Sequence, residues 1–275
     1  MKLVKEHINE SVGVKPLKYV PPFEGDINLS NKGLTELPKD LPKKITGSFY
    51  CSGNKLTSLE GSPKSVGRGF YCHNNNLTSL KGAPMSVGGN FSCYNNNLTS
   101  LEGAPTSVGG DFSCNDNNLN SLEGAPTSVG GAFYCNNNNL TSLEGAPTSV
   151  GGDFFCYNNK LISLVGAPTS VGRNFYCEDN NLTSLEGAPT SVGKDFLCYN
   201  NNLTSLVGAP ASVGGGFYCY KNKLTSLKGA PTSVDKDFDC RDNNIPKEEI
   251  ERYYRTGAVR GTIYSDYGEY KRSII

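Results

Sequence analysis

Residues 112–132 read FSCNDNNLNSLEGAPTSVGGA, and residues 133–153 read FYCNNNNLTSLEGAPTSVGGD. The same 21-residue phrase recurs along most of the chain: the ten cysteines stand at Cys51, Cys72, Cys93, Cys114, Cys135, Cys156, Cys177, Cys198, Cys219 and Cys240. A phenylalanine lies two residues before each of them and an asparagine three residues after. A leucine follows at the fifth position, replaced only by Ile245 in the last unit, and another at the eighth from Leu59 to Leu227. A G-A-P or G-S-P and a valine complete the phrase. Strand faces alternate with period two, so F-x-C predicts a short strand whose Phe and Cys point the same way. The asparagine turns the chain, L-x-x-L brings two apolar groups back inward, and Gly and Pro at fixed offsets make the return path irregular rather than helical. One such coil cannot bury its own apolar side, whereas stacked coils turn Phe, Cys, Leu, Leu and Val into columns of a continuous core. Parallel pairing at about 4.8 Å per rung predicts a coil stack on the order of 45 Å long.

The flanks read as caps. Leu3, Val4, Ile8 and Val12 fall at helical spacing, and Ile27 and Leu29 look like a degenerate first strand with Lys32 at the turn position. After Ile245, Pro246 suits a first helical turn, Ile250, Tyr253 and Tyr254 share a face, and Gly257 suits the stop. Residues 258–275 alternate around Gly268 as a terminal hairpin would. The expected organisation is an N-terminal cap over 1–26, the solenoid over 27–245 and a C-terminal cap over 246–275.

Composition narrows the function classes. Lys and Arg total 26, as do Asp and Glu, so no net field favours nucleic acid or an anionic membrane. With two histidines in the chain, a histidine-rich metal site or a His-based catalytic centre is poorly supplied. The charged opening MKLVKEHINE has no apolar stretch of secretory length, and no membrane-spanning run of about 18 apolar residues occurs.

The repeat resembles the leucine-rich repeat, whose pattern L-x-x-L-x-L-x-x-N-x-L is met in its later positions by Phe112, Cys114, Asn117 and Leu119. Leu34-Thr35-Glu36-Leu37-Pro38-Lys39-Asp40-Leu41-Pro42 is similar to the short bacterial L-T-x-L-P class. The resemblance covers roughly 27–245 and departs in two ways: Val108 comes one residue early, and Phe and Cys replace the usual strand leucines. It implies a β-rich, right-handed solenoid of short parallel strands with irregular convex turns, and a binding role for the strand face, which is concave in that family. The opening decapeptide also resembles the start of proteins from large tailed bacteriophages, pointing to a phage or bacterial source.

Cysteines strung along a line do not converge on a metal, and the sequence places no activating base beside them. Parallel side chains would hold neighbouring Cβ atoms about 4.8 Å apart, beyond disulfide reach of roughly 4.5 Å. They therefore read as a ladder of free, buried thiols, suited to a reducing cytoplasm. The asparagines read as a second ladder, their amides bonding turn backbone. Asp111, Asp153, Asp195 and Asp237 recur in alternate coils, about 9.6 Å apart and too far to share a calcium, and read as solvated surface charge.

The residues immediately before and after each cysteine vary while the framework repeats, and they face away from the core. Tyr134, Phe155, Tyr157, Tyr176, Leu197, Tyr199, Tyr218 and Tyr220 form an aromatic field about 20 Å long on that face. Exposed aromatic clusters mark partner sites, although Tyr and Phe also favour strands and stack between rungs. The expected function is a non-enzymatic protein–protein interaction scaffold, a monomer binding a protein through this field. No catalytic residue, cofactor, metal, nucleic acid or membrane enters that expectation. Alternatives are a bacterial effector-type binding protein, exported without a cleavable signal peptide, or a structural or adhesive spacer binding glycans.

Overall fold

The structure, a computed structural model, describes residues 22–271. The helix expected over residues 2–12 lies outside the described residues.

Each coil contributes two strands of two residues, such as Ser107–Val108 and Phe112–Ser113. The Phe strands stack into a 13-stranded sheet that begins at Ile27–Asn28 and ends in the hairpin Ile263–Ser265 and Gly268–Tyr270. Pairing is parallel and in register, Phe133 lying between Phe112 and Phe154, except for the antiparallel closing hairpin. The parallel solenoid is the expected one, and Phe23 bridges Ile45 ahead of the first strand.

A second sheet was not legible as such. The Ser-Val strands, from Lys44–Ile45 to Ser233–Val234, form a 10-stranded parallel sheet where irregular turns are expected. A two-residue strand within the three residues between a proline and a glycine is too short to show an alternation, so only the stacking of copies reveals the ladder. The glycine that follows every strand valine from Val66 to Val213 makes the corner between the sheets: a Cβ on Gly130 would sit 2.3 Å from the Gly109 carbonyl oxygen. The glycine of G-A-P is a different case, with Gly124 at φ 85°, in the left-handed region.

The core is made of columns. In one coil Phe112, Cys114, Leu119 and Leu122 are fully buried, and Val129 nearly so. The Phe rings stack coil on coil, for example Phe112 on Phe133 at 5.4 Å and Phe196 on Phe217 at 5.2 Å. Each column asparagine ties two coils. Asn138 Nδ2 donates to the carbonyls of Cys114, Cys135 and Asn136 at 3.1, 3.1 and 3.2 Å, and its Oδ1 accepts the Leu119 N–H at 3.0 Å. Six of the thiols also donate between coils, as Cys114 Sγ does to the Tyr134 carbonyl at 3.2 Å. Cysteine thus adds a weak donor to its small apolar volume.

The far end is closed by the helix Lys247–Thr256, with Pro246 at its N-cap and Gly257 at φ 78° as its left-handed stop. Ile250 and Tyr253 are buried; the Tyr253 ring meets Phe238, the last of its column, at 4.9 Å, and its hydroxyl donates to the Pro231 carbonyl at 2.7 Å.

Candidate functional site

All eight nominated residues lie on one face of the 13-stranded sheet, in two columns flanking the buried cysteines. Tyr134, Phe155, Tyr176, Leu197 and Tyr218 form the column before the cysteine, and Tyr157, Tyr199 and Tyr220 stand in the column after it. Every one of them is half-buried rather than free-standing. The cause is stacking. Tyr134 lies on Phe155 at 4.6 Å and Phe155 on Tyr176 at 4.5 Å, with interplanar angles of 7° and 8°. Tyr199 lies on Tyr220 at 4.4 Å, and Tyr157 meets the Phe155 ring edge-on at 6.4 Å. Each stacked ring therefore covers a face of its neighbour, while Tyr218 has Leu197 in place of a ring on the preceding rung. Tyr50 and Tyr71 form a separate stack at 4.8 Å, with Ser92 and Ser113 between it and the field.

Two non-aromatic residues interrupt these columns. Leu197 separates Tyr176 from Tyr218, and Glu178 separates Tyr157 from Tyr199. Glu178 is 6% exposed, and its Oε2 is the one buried side-chain oxygen or nitrogen without a hydrogen-bond partner among the described residues. Burial pushes its carboxyl up from 4.5 to about 7; its own backbone N–H works against that rise and Asp179 beside it adds to it. Composition and spacing do not single this residue out. Its signal is one carboxyl in a row of tyrosines.

The aspartates flank the field and are not simply solvated, which corrects the expectation. Asp111 Oδ1 accepts the Ala132 N–H at 2.8 Å, Asp153 the Asn174 N–H at 2.9 Å, Asp195 the Gly216 N–H at 2.7 Å and Asp237 the Thr262 N–H at 2.8 Å. Each is half-buried and joins its coil to the next. They also give the face a negative character: burial and then the neighbouring aspartates raise the hydroxyl pKa of Tyr134, Tyr176 and Tyr218. Two nearby arginines are paired, Arg173 with Asp153 at 3.7 Å and Arg241 with Asp239 at 2.6 Å, while Lys221 sits 6.0 Å from the Tyr220 ring centre.

The ten thiols are all buried and unpaired, and burial raises their pKa: Cys51 and Cys240 are pushed up to about 12, and the others are likewise held well above the ordinary thiol value. A thiol held protonated is neither nucleophile nor metal ligand. Among the described residues no group of three or more His, Cys, Asp or Glu is placed to hold a metal ion, and no helix is long and apolar enough to cross a membrane.

No family model matches the sequence, and no curated protein matches it significantly. Solved structures do match. YopM from Yersinia enterocolitica aligns with a TM-score of 0.53 at 19% identity, over 81% of this chain and 61% of that one. YopM from Yersinia pestis, described as a leucine-rich effector protein, aligns with a TM-score of 0.52 at 23% identity, over 80% of this chain and 67% of that one. The chain thus spans less than two thirds of the first of these proteins. At such identity the likeness establishes the fold, and the fold is that of a leucine-rich-repeat solenoid.

Proposed function

We propose that the protein is a non-enzymatic interaction scaffold whose strand face binds a protein partner through the aromatic field from Tyr134 to Tyr220. One observation carries the reading: the framework repeats almost unchanged, yet half-buried aromatic side chains concentrate on a single face over these coils. A preformed platform loses little ordering entropy on binding, so modest ring-edge and hydroxyl contacts convert efficiently into affinity. The likeness to the leucine-rich effector protein YopM supports an effector-type version of the same role. The buried, protonated thiols fit a reducing compartment.

The test compares two double variants. Replacing Tyr157 and Tyr199 together by Ser removes two rings near the centre of the field, where truncating an anchor commonly costs about 2 kcal/mol or more. Replacing the exposed Glu123 and Glu144 by Ser alters the opposite side. A partner captured by cross-linking from the source cell is titrated against each variant by calorimetry, with thermal melting alongside. Loss of binding in the Tyr variant with the melt nearly kept supports the reading. Loss only in the Glu variant refutes it, and collapse of the Tyr variant makes the rings a structural ladder.

A further inference from the structure

We propose that Glu178 receives one cationic side chain, lysine or arginine, of the protein partner, held between the flanking rings of Tyr157 and Tyr199. This inference rests on the strand face being the binding face and goes on to say what that face recognises.

The first ground is an unmet need. Buried side-chain polar atoms nearly always find a partner, because one without costs on the order of 1–3 kcal/mol, and more when ionised. Glu178 Oε2 has none, while the turn asparagines, the half-buried aspartates and even several thiols are bonded. Nor does the carboxyl serve the stack: Tyr157, Tyr199 and Tyr220 hold the same position in neighbouring coils, and Asn136 and Asn115 hold it further back. A structural position would accept any of these. Apart from the bond to its own backbone N–H, the carboxyl costs the fold and returns nothing to it.

The second ground is what surrounds the carboxyl. The ionisable groups that feel its charge are Tyr157, Tyr176, Tyr199 and Tyr220 with the thiols of Cys156, Cys177 and Cys198, and Asp179 is its acidic neighbour. None of them is a cation. Arg173 is committed to Asp153, and Lys221 lies over Tyr220, two coils away from Glu178 in the same column. Among the described residues no cation is placed to compensate Glu178, and a partner's side chain would supply that charge.

The third ground is shape and sign. Tyr157 and Tyr199 stand two rungs apart, so their rings are spaced about 9.6 Å with the carboxyl between them. A guanidinium or a lysine ammonium reaching the carboxyl would stand beside both rings with a carboxylate beneath it; aromatic rings attract cations, and the attraction grows with desolvation. The half-buried Asp153 and Asp195 of the adjacent coils add to the negative potential. A neutral hydroxyl or amide would satisfy the oxygen but would gain nothing from the rings or the aspartates.

The experiment uses the full chain with carbon-13-labelled glutamate, the Glu178 carboxyl resonance being assigned by its loss in E178Q. The probes are N-acetylarginine amide and its neutral isostere N-acetylcitrulline amide. Saturating arginine amide is expected to lower the Glu178 titration midpoint by about one pH unit, a tenfold preference for the ionised carboxyl. It should bind E178Q at least tenfold more weakly, and citrulline amide should do neither. No shift with arginine amide, or equal shifts with both probes, overturns the proposal. E178Q removes no hydrogen bond made by Oε2, so its fold serves as its own control by melting. With a captured partner, affinity kept in E178Q but lost in the Tyr157, Tyr199 double variant sinks this proposal alone. Affinity lost only in the Glu123, Glu144 variant sinks the strand-face reading beneath it.

Discussion

Asn138 offers the sharpest test of how the coils are held together. Replacing it by Ala removes four hydrogen bonds, but the losses are unequal. The Cys114 carbonyl keeps a bond from Asn117 Nδ2 at 3.1 Å, and the Cys135 carbonyl keeps one from Asn159 Nδ2 at 3.1 Å. The Asn136 carbonyl keeps the Asp116 N–H at 3.2 Å. Only the Leu119 N–H, in the preceding coil, is left buried with no acceptor. An orphaned buried donor costs roughly 1–3 kcal/mol, and three bonds lost from acceptors that retain a partner add about 1 kcal/mol together, giving about 2–4 kcal/mol for N138A. N138D separates donor from acceptor: its carboxylate can still take the Leu119 N–H but turns a bare oxygen toward three carbonyls. Its pKa is therefore raised on folding, so N138D is least impaired below about pH 4, the unfolded value, and loses stability as pH rises through its folded value. The control is N139A, since the half-buried Asn139 makes no side-chain hydrogen bond and should change stability by less than about 0.5 kcal/mol. Without tryptophan in the chain, urea unfolding is readable by tyrosine emission. Because coils can open in segments, hydrogen exchange at the Leu119 amide gives the local value. N138A within about 0.5 kcal/mol of wild type, or an unchanged Leu119 protection factor, would refute the reasoning.

Three further expectations follow from the same geometry. Deleting residues 103–123 removes one whole rung and rejoins matching columns, so the shortened protein should still melt cooperatively, whereas deleting 103–112 throws the columns out of phase and should unfold that region; equal melts for both would contradict the stacked-coil fold. Alkylation of the native protein at pH 8 should be slow at all ten buried thiols and complete on denaturation, as judged by mass; rapid native labelling would contradict their burial. Glu178, whose carboxyl rises from 4.5 to about 7 on folding, holds its proton longer in the folded state than in the unfolded one. The wild type should therefore match E178Q in stability below about pH 4.5 and lose on the order of 2–4 kcal/mol relative to it as pH climbs through 7; parallel pH profiles for the two would show that the carboxyl is not desolvated.

What was legible in the sequence is what repeats. A column position must satisfy the same neighbours in every coil, so Phe, Cys, Asn, Leu and Val at a period of 21 announce the core, the turn ladder and the stacking direction together. The second sheet was hidden because Ser-Val spans two residues, and a pair carries no periodicity of its own. The aspartates were misread as solvated because sequence spacing shows the distance between like charges but not the backbone N–H that each one meets in the next coil. The aromatic field shows in the sequence as rings flanking the cysteines. Its rings are covered by one another to a degree that only the 4.4–4.6 Å stacking reveals.

The same logic explains why the site is hardest to see where it matters most. A repeat makes its framework visible by redundancy, and function that depends on one coil has no redundancy to show. Eight of the face residues announce themselves because aromatics cluster, yet a cluster of rings at rung spacing is also what a stable ladder requires, so the pattern alone cannot divide the two roles. Glu178 can, because a buried carboxyl without a partner has no place in a ladder. If the rings were purely structural, substituting the carboxyl by tyrosine, as in the coils on either side, should extend the stack from Tyr157 through to Tyr220 and stabilise the protein, with no penalty to any interaction. If the face is a binding surface with a charged centre, E178Y should also melt higher, since it removes the desolvation cost and adds a stacked pair worth about 0.5–1.5 kcal/mol, but it should weaken the captured partner by at least tenfold. A variant that gains stability and keeps its partner would return the whole field to the fold.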